Sequence, residues 1–481
     1  MIEKLLLLAT SIFYITTLPG CTPAISAAKS ITGSVATSDS NIAFPGAEGF
    51  GKYTTGGRHG KVLIVSNLND NGPGSLREAI RVKGPRIVVF TVSGTIHLES
   101  KLAFTSDLTI AGQSAPGDGI CLADYPVTLS GNNIIVRYMR FRMGDKNQKG
   151  GMVAGNGGDD AFGGTHRNNI IVDHCSMSWS TDEVFSVYEG DSTTLQWNLI
   201  SEPLNYSYHF ENGDKDFEHH GYGGIWGGRR TSGHHNLFAH CANRTPRFDG
   251  IRNIPEEFVD FRNNVIYDWS SNNVYAGEGG KYNLVNNYYK PGPSTHANVS
   301  SRILNPYKKP PTIPYGKFYV DGNYVDGADD VTKNNWKGVV MNDGSVADAE
   351  QAKAGTAFPA EQVQTQSPTE AYLLVLQYAG ASLRRDTLDE RIINDVKNKQ
   401  GRLIDVQGGF PHGTPYELTV NAWPTLKSLP APTDTDKDGI PDEWEKRNAL
   451  NPNDPTDATI SKLHKHYTNI EVYLNSLVPK A

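Results

Sequence analysis

Cysteine is scarce in this chain. Four occur in 481 residues, at positions 21, 121, 175 and 241, and none forms a Cys-x-x-Cys pair. The last three stand too far apart for a disulfide framework and read as small buried apolar side chains. Basic residues are not in excess either. Lys and Arg number 45 against 52 Asp and Glu, for a net charge of −7 and a pI near 6.1. With no Lys/Arg stripe, nucleic acid is excluded as a partner. The one long apolar run, Leu5 to Leu18, is too short and too poorly flanked for a transmembrane helix. Helical periodicity is scarce before residue 365. What is plentiful is Gly (49) and Pro (27), with 10% aromatics. That is the composition of a turn-rich, mostly β protein.

The amino-terminal run reads as a targeting segment, with Lys4 ahead of its apolar core. It ends Leu18-Pro19-Gly20-Cys21, a lipobox-like sequence that would make Cys21 the lipidated residue. The alternative is ordinary signal cleavage near Ala28. Either way the expected product is exported, as a cell-surface or periplasmic lipoprotein or as a secreted protein. Any membrane contact runs through a lipid anchor at Cys21. The segments read as 1–21 signal, 22–41 flexible tether, 42–428 main domain and 429–481 a small terminal module.

From Val62 onward, short strand-like runs recur between Gly, Asn, Asp and Pro. The later ones share an Asn followed by two apolar or aromatic residues: Asn198, Asn236, Asn264, Asn287 and Asn323. Their spacings are 38, 28, 23 and 36. A coil of about 23 residues with loops of variable length accounts for all four, which is the signature of a solenoid. Asn at equivalent turns can then bond coil to coil. A β-sandwich with Asn-rich turns is the alternative, but insertions as long as 201–230 suit one face of a solenoid better. Capping signatures predict helices at Ser75-x-x-Glu78, at Ser367-Pro368-x-Glu370 up to Gly380, and at Thr387-x-x-Glu390. The last would bury Leu388, Ile392 and Val396 on one face and pack on the solenoid's side or end.

Residues 159–252 hold the chemistry. Asp159-Asp160, Asp173-His174 and Asp182-Glu183 come first. Five His and five Arg follow between His219 and Arg252, with Asp249 the single acid among them. A basic surface inside an acidic protein points to an anionic ligand, and the acid pairs point to a divalent cation beside it.

Several motifs together resemble polysaccharide lyase family one, the pectate lyases. They are Phe44-Pro-Gly-Ala-Glu-Gly-Phe-Gly51 with Thr55-Gly-Gly57, Gly74-Ser-Leu-Arg-Glu-Ala-Ile80, Val136-Arg-Tyr-Met-Arg-Phe-Arg142, Val172-Asp-His174 and Arg244-Thr-Pro-Arg247. The resemblance covers roughly residues 42 to 425. It implies a right-handed parallel β-helix and Ca2+-assisted β-elimination of polygalacturonate by a monomer, with an acidic polysaccharide as partner. It further implies Asp160 and Asp182 as calcium ligands, with Asp159 and Glu183 as stand-ins where the family pattern is broken at Gly158 and Ser186. Arg244 corresponds to the catalytic arginine and Arg247 to a substrate-binding one; Arg229 and Arg230 would add cations beside them. As free arginine is effectively always protonated, Arg244 is either a specially placed base or a carboxylate clamp. The family's groove lysine has only Lys215 as counterpart, with His219 or His220 in its place otherwise. Arg230, His220 and His174 complete the substrate-binding candidates. A polygalacturonase or a non-catalytic pectin-binding protein are the rival readings.

The terminal module carries its own motif. Asp434-Thr-Asp436-Lys-Asp438-Gly439-Ile440-Pro-Asp442-Glu-Trp-Glu445 fits the twelve-residue EF-hand calcium loop, with acids at positions 1, 3, 5, 9 and 12, a backbone ligand at Ile440 and Gly at 6. It reads as a structural clasp. The stretch 461–466 lacks the acids of a second loop, and only a helix from Thr468 is expected there.

Overall fold

The strand-like runs stack in parallel, each on the run one coil earlier. The computed structural model describes residues 41–148, 158–211 and 214–479. The targeting segment, Cys21 and nearly all of the tether lie outside the described residues. Asn41–Ala481 form one compact unit.

Each coil crosses three faces. Sheet A is built from strands such as Ile134–Arg137, Asn168–Asp173, Thr231–His234 and Phe258–Arg262. Sheet B follows with Met139–Arg142, Ser176–Ser178, Leu199–Ser201 and Leu237–Ala239. Sheet C then carries Phe162–Thr165, Ile225–Gly228 and Arg247–Phe248. The long strand Phe185–Gln196 bends from C into A and joins those two faces into one 17-stranded sheet, while B has nine strands. Pairing is parallel throughout, for example Val172 beside Val136 and Leu195. This is the right-handed parallel β-helix expected.

The A-to-B corner is built the same way in coil after coil. A residue at positive φ turns the chain: Tyr138, His174, Trp197, His235, Asn263 and Asn286. An Asn follows it from Trp197 onward. The Asn236 Oδ1 accepts from the backbone N–H and the Nδ2 of Asn198 at 2.9 and 3.0 Å, and Asn264 does the same for Asn236. The ladder runs on through Asn287 and Asn323, and beyond the expected set to Asn335. All are buried, so every amide must find its partners inside the protein.

Inside the coils, aromatic side chains stack across successive turns. The rings of Phe141, Phe162 and Phe185 are nearly parallel and stacked, with centroids 4.0 and 5.6 Å apart. Cys121, Cys175 and Cys241 are free and buried, as expected.

Helix α1 (Leu76–Arg81) begins at its Ser75 cap. Helix α2 (Pro368–Tyr378) has the full Ser367/Glu370 capping box. Helix α3 (Thr387–Asn398) starts one residue earlier than its motif suggests. Asp386, not Thr387, caps it by accepting from the N–H groups of Leu388 and Asp389. The same carboxylate neutralises buried Arg140 and Arg142 of sheet B, so an acid serves there where a hydroxyl would not. Leu388, Ile392 and Val396 pack with Val375 of α2 on Leu199, Leu237 and Val265, the outer side of sheet B. The carboxyl-terminal residues cover sheet A instead. Helix α4 (Asp442–Arg447) and helix α5 (Asn469–Ser476) frame the loop of Ile440. Ile440, Leu450 and Ile470 rest on Ile87 and Val89 of the early coils. Gly439 sits at φ 93°, where a Cβ would come within 2.9 Å of Val62.

Candidate active site

Sheet B is joined to sheet C by loops of very different length, and these loops bring the acids and Arg244 together. The Asp182 N–H donates to the Asp159 carbonyl at 3.2 Å, and the Ala161 N–H to that of Glu183 at 3.1 Å. Parallel bridges then join Glu183 to Tyr222 and Tyr222 to Asn243. Residues 160, 183, 222 and 243–244 therefore occupy successive coils, each step about 4.8 Å.

Carboxylate oxygens of Asp160, Asp182 and Glu183 lie within 4.8 Å of one another. The Asp160 Oδ1 accepts the Glu183 N–H at 3.1 Å. Burial and the charge of Asp182 push the Asp160 pKa well above the usual carboxylate range, while Ser186 hydrogen-bonds to it. Burial would raise Asp182 too, but His209 and His220 hold it below that range. The His220 Nε2 is 2.8 Å from the Asp182 Oδ1. The rings of His209 and His220 stack at 3.6 Å, and both Nδ1 atoms face Glu218 at 3.1 and 3.2 Å. His209 is raised despite its burial, because Asp182 and Glu218 favour the imidazolium.

Arg244 faces this group from two coils on from Glu183. Its guanidinium pairs with Glu183, lies 4.5 Å over the Tyr222 ring, and donates from Nε to the Tyr275 hydroxyl at 3.2 Å. Alternation along sheet C turns Phe248 inward and Arg247 outward. Arg247 stands beside Ile225 and Tyr275 in register, and its Nη2 donates to Glu278 at 3.0 Å.

The other expected site residues fall elsewhere. Asp159 is turned from the carboxylate group to Lys101 at 2.5 Å and to Gln148 at 2.9 Å. Lys101 supplies its counter-charge, so Asp159 does not join Asp160, Asp182 and Glu183. His174 is corrected as a substrate contact. It occupies the A-to-B corner, stacked between Tyr138 and Trp197 and bonded to Asp173 at 2.7 Å. Arg229 and Arg230 are exposed at the C-to-A corner, and Arg230 forks onto Asp191 at 2.7 and 2.8 Å. The basic run winds around more than one coil rather than lining one wall. Arg244 thus meets an acid where a row of cations was expected. Lys215 is exposed, with no ion pair or hydrogen bond among the described residues. His209, Glu218, Tyr222 and Tyr275 were not singled out from the sequence; only alignment of the coils reveals them.

Three close carboxylates suit a hard divalent cation, which takes oxygen donors. Their mutual crowding, expressed in the raised Asp160, fits such an ion.

In the terminal module, oxygens of Asp434, Asp436 and Asp438 lie within 4.8 Å of one another, and so do those of Asp438, Glu445 and Asp457. Asp442 lies outside both groups. Its carboxylate accepts from the Thr435 N–H and hydroxyl, each at 2.7 Å. The Ile440 side chain is fully buried in the apolar contact with sheet A. Asp457 lies outside the twelve-residue motif, which is why the motif misses it.

No protein-family model matches the chain. Among solved structures, a pectate lyase from Bacillus sp. N165 in complex with trigalacturonate is 16% identical, with a TM-score of 0.43. It covers 69% of this chain and 98% of its own. Curated relatives are more similar in sequence. A protein of Aspergillus fumigatus described as probable pectate lyase C is 37% identical over 461 residues, covering 91% of this chain and 94% of that one. One of Aspergillus flavus with the same description is 36% identical over 456 residues, covering 92% and 95%. Sharing over a third of its residues with such relatives across nine-tenths of its length, the chain belongs to the pectate lyase family, polysaccharide lyase family one.

Proposed function

We propose that this chain cleaves polygalacturonate by β-elimination at a uronate, with Ca2+ as cofactor, leaving an unsaturated oligogalacturonide end. One observation carries the reading: Asp160, Asp182 and Glu183 converge opposite Arg244 on the outer face of sheet C, with Arg247 alongside. Asp160, Asp182 and Glu183 would hold the calcium. When bound, it neutralises the substrate carboxylate and so acidifies the neighbouring C5–H. His209 and His220 orient Asp182 toward the other two acids. Arg247, anchored by Glu278, presents positive charge to the polymer's carboxylates. A base on this face takes the C5 proton; the C–H electron pair becomes the C4–C5 double bond as the C4–O bond breaks.

Arg244 is the group placed to act as that base. Its pairing with Glu183 works against the role, because a carboxylate stabilises the cationic guanidinium. Glu183 engaged with the calcium would leave Arg244 between Tyr222 and Tyr275 without a counter-ion. The same pairing favours a second reading, in which Arg244 stays cationic and clamps a substrate carboxylate, leaving His220 or Lys215 as the base. Export would bring the enzyme to its polymer, in keeping with the targeting run at residues 1–21.

The test is the ultraviolet absorbance of the new double bond, followed with polygalacturonate in calcium and in chelator. A calcium-dependent rise supports the proposal. Release of reducing ends without absorbance would mean hydrolysis, and binding without any product would mean a pectin-binding protein.

A further inference from the structure

We propose that Asp434, Asp436, Asp438, Glu445 and Asp457 bind a second divalent cation of the calcium type, and that this cation fastens residues 434–479 onto the outer side of sheet A. Acid spacing alone would not carry this; what carries it is the state of the side chains. Glu445 is fully buried, Asp438 is 3% exposed and Asp457 is 7% exposed. Both oxygens of Glu445, both of Asp436, the Asp438 Oδ2 and the Asp457 Oδ1 lack a hydrogen-bond partner. The opposite oxygens are fixed. The Asp438 Oδ1 accepts the Ile440 N–H at 2.8 Å, and the Asp457 Oδ2 accepts the Asn451 N–H at 3.0 Å. Asp438 and Asp457 are thus each held by the backbone on one side, with the other oxygen left beside the unpartnered Glu445 carboxylate. Buried carboxylates without partners are costly to keep ionised, so they either take up protons or are balanced by a cation, and a cluster of such oxygens fits the cation. The donors are all oxygen and all anionic, which selects a hard ion and excludes a soft one.

Asp457 changes what such a site does. The twelve-residue motif on its own would tie a loop to the helix that follows it. Asp457 comes from the next turn, Asp457–Thr459, whose Ala458 lies in the apolar contact with sheet A. The Asp457 carbonyl accepts the Asn469 Nδ2 at the start of α5. Glu471 of α5 in turn pairs with Arg58, at 2.9 Å, on the wall of the coils. One ion would therefore cross-link the loop, α4 and the support of α5, and through them the carboxyl-terminal residues and the first coils.

Calcium titration calorimetry on the chelator-treated full-length protein, without substrate, tests this. One binding event should disappear in Glu445→Gln, together with the calcium-dependent rise in melting temperature. It should weaken by about tenfold or more in Asp457→Asn, the loss caused even by removing outer-shell partners of metal ligands. Asp442→Asn should leave it unchanged, since Asp442 faces Thr435. Cleavage of polygalacturonate at a permissive temperature should persist in all three. Chelator should also expose residues 434–479 of the unmodified protein to limited proteolysis, a measurement that stands if Glu445→Gln fails to fold. Glu445→Gln retaining every binding event, or a tail equally protected in chelator and in calcium, would overturn the proposal. Asp442→Asn proving as damaging as Asp457→Asn would overturn the ligand set.

Discussion

Replacing Arg244 with alanine separates the two roles open to it. The side chain has three partners: Glu183, the Tyr222 ring and the Tyr275 hydroxyl. As a clamp, it contributes a charge-assisted contact to the substrate carboxylate of about 1.5–3 kcal/mol. Its loss then raises KM roughly 10- to 150-fold and leaves kcat nearly intact. As the base, its loss lowers kcat on the order of 10²–10⁴-fold. The base outcome is the expected one, because among the described residues no other Lys or Arg pairs with Asp160, Asp182 or Glu183. Arg244→Lys should fare little better, since an ammonium on a shorter fork cannot reach Glu183 and Tyr275 together. Tyr275→Phe removes only the Nε contact and should cost about tenfold or less, in line with one neutral hydrogen bond. Initial rates by ultraviolet absorbance, over a grid of polygalacturonate and free calcium, give kcat and KM separately. Near-normal kcat with a raised KM in Arg244→Ala refutes the base role and moves the search to His220. Rescue of Arg244→Ala by excess calcium would refute it as well, because a missing base is not replaced by more cofactor.

Asp182→Asn should raise the calcium concentration needed for half-maximal rate, with partial recovery at high calcium; an unchanged requirement removes Asp182 from the ligand set. Asn236→Ala deletes the acceptor of the Asn198 N–H and the donor to the Leu195 carbonyl, leaving buried polar groups unpaired at about 1–3 kcal/mol each. Urea unfolding should show a loss of about 2–5 kcal/mol with kcat retained at low temperature, and a loss under half a kcal/mol would contradict the ladder's role. Buried His240, although desolvation opposes its charge, is raised to about 9 by Asp268 and Asp395, with Glu202 nearby. A raised histidine contributes stability that is complete below its unfolded pKa of about 6.5 and is lost as pH rises through the folded value. Melting temperature should fall between pH 6.5 and 9, and His240→Gln should flatten that slope; an equally steep slope in the variant would assign it to other groups.

How far the sequence could be read depended on whether a feature repeats. Asn198, Asn236, Asn264, Asn287 and Asn323 mark equivalent points, so the winding and its parallel pairing were visible as a period. Asp160, Asp182 and Arg244 were visible through motifs. That stacked coils could bring them to one groove was legible as well; which side chains join them there was not, because that depends on how loops of unequal length return to register. His174 and Arg230 illustrate the difficulty. Each lies only a few residues along the coil from a strand end, yet a coil has three corners and a list of charges does not say which one a residue occupies. His209 and Tyr275 had no motif to carry them. Asp457 escaped because a calcium loop is recognised by local spacing, while this carboxylate arrives from a neighbouring turn.

The three corners differ in what they tolerate. From the coil of His174 onward the connection between sheets A and B is held to two residues, as at 174–175, 197–198, 235–236 and 263–264, whereas the earlier coils use 91–93, 112–119 and 138. Each two-residue connection holds a left-handed residue and, from 197–198 on, a buried Asn, so a single inserted residue would break the stack above and below it. Between sheets B and C the chain spans 179–184, 202–224, 240–246 and 268–273, unequal lengths that all return to the same register. Along the Asn ladder, length is thus fixed at one edge and variable at another, and the variable edge is the one beside the acids. For an engineer this separates two design variables. The B-to-C segments also carry Asp182, Glu183, His209, His220 and Arg244, so changes of length to fit differently branched or esterified polymers belong between those fixed points, leaving the coils themselves untouched.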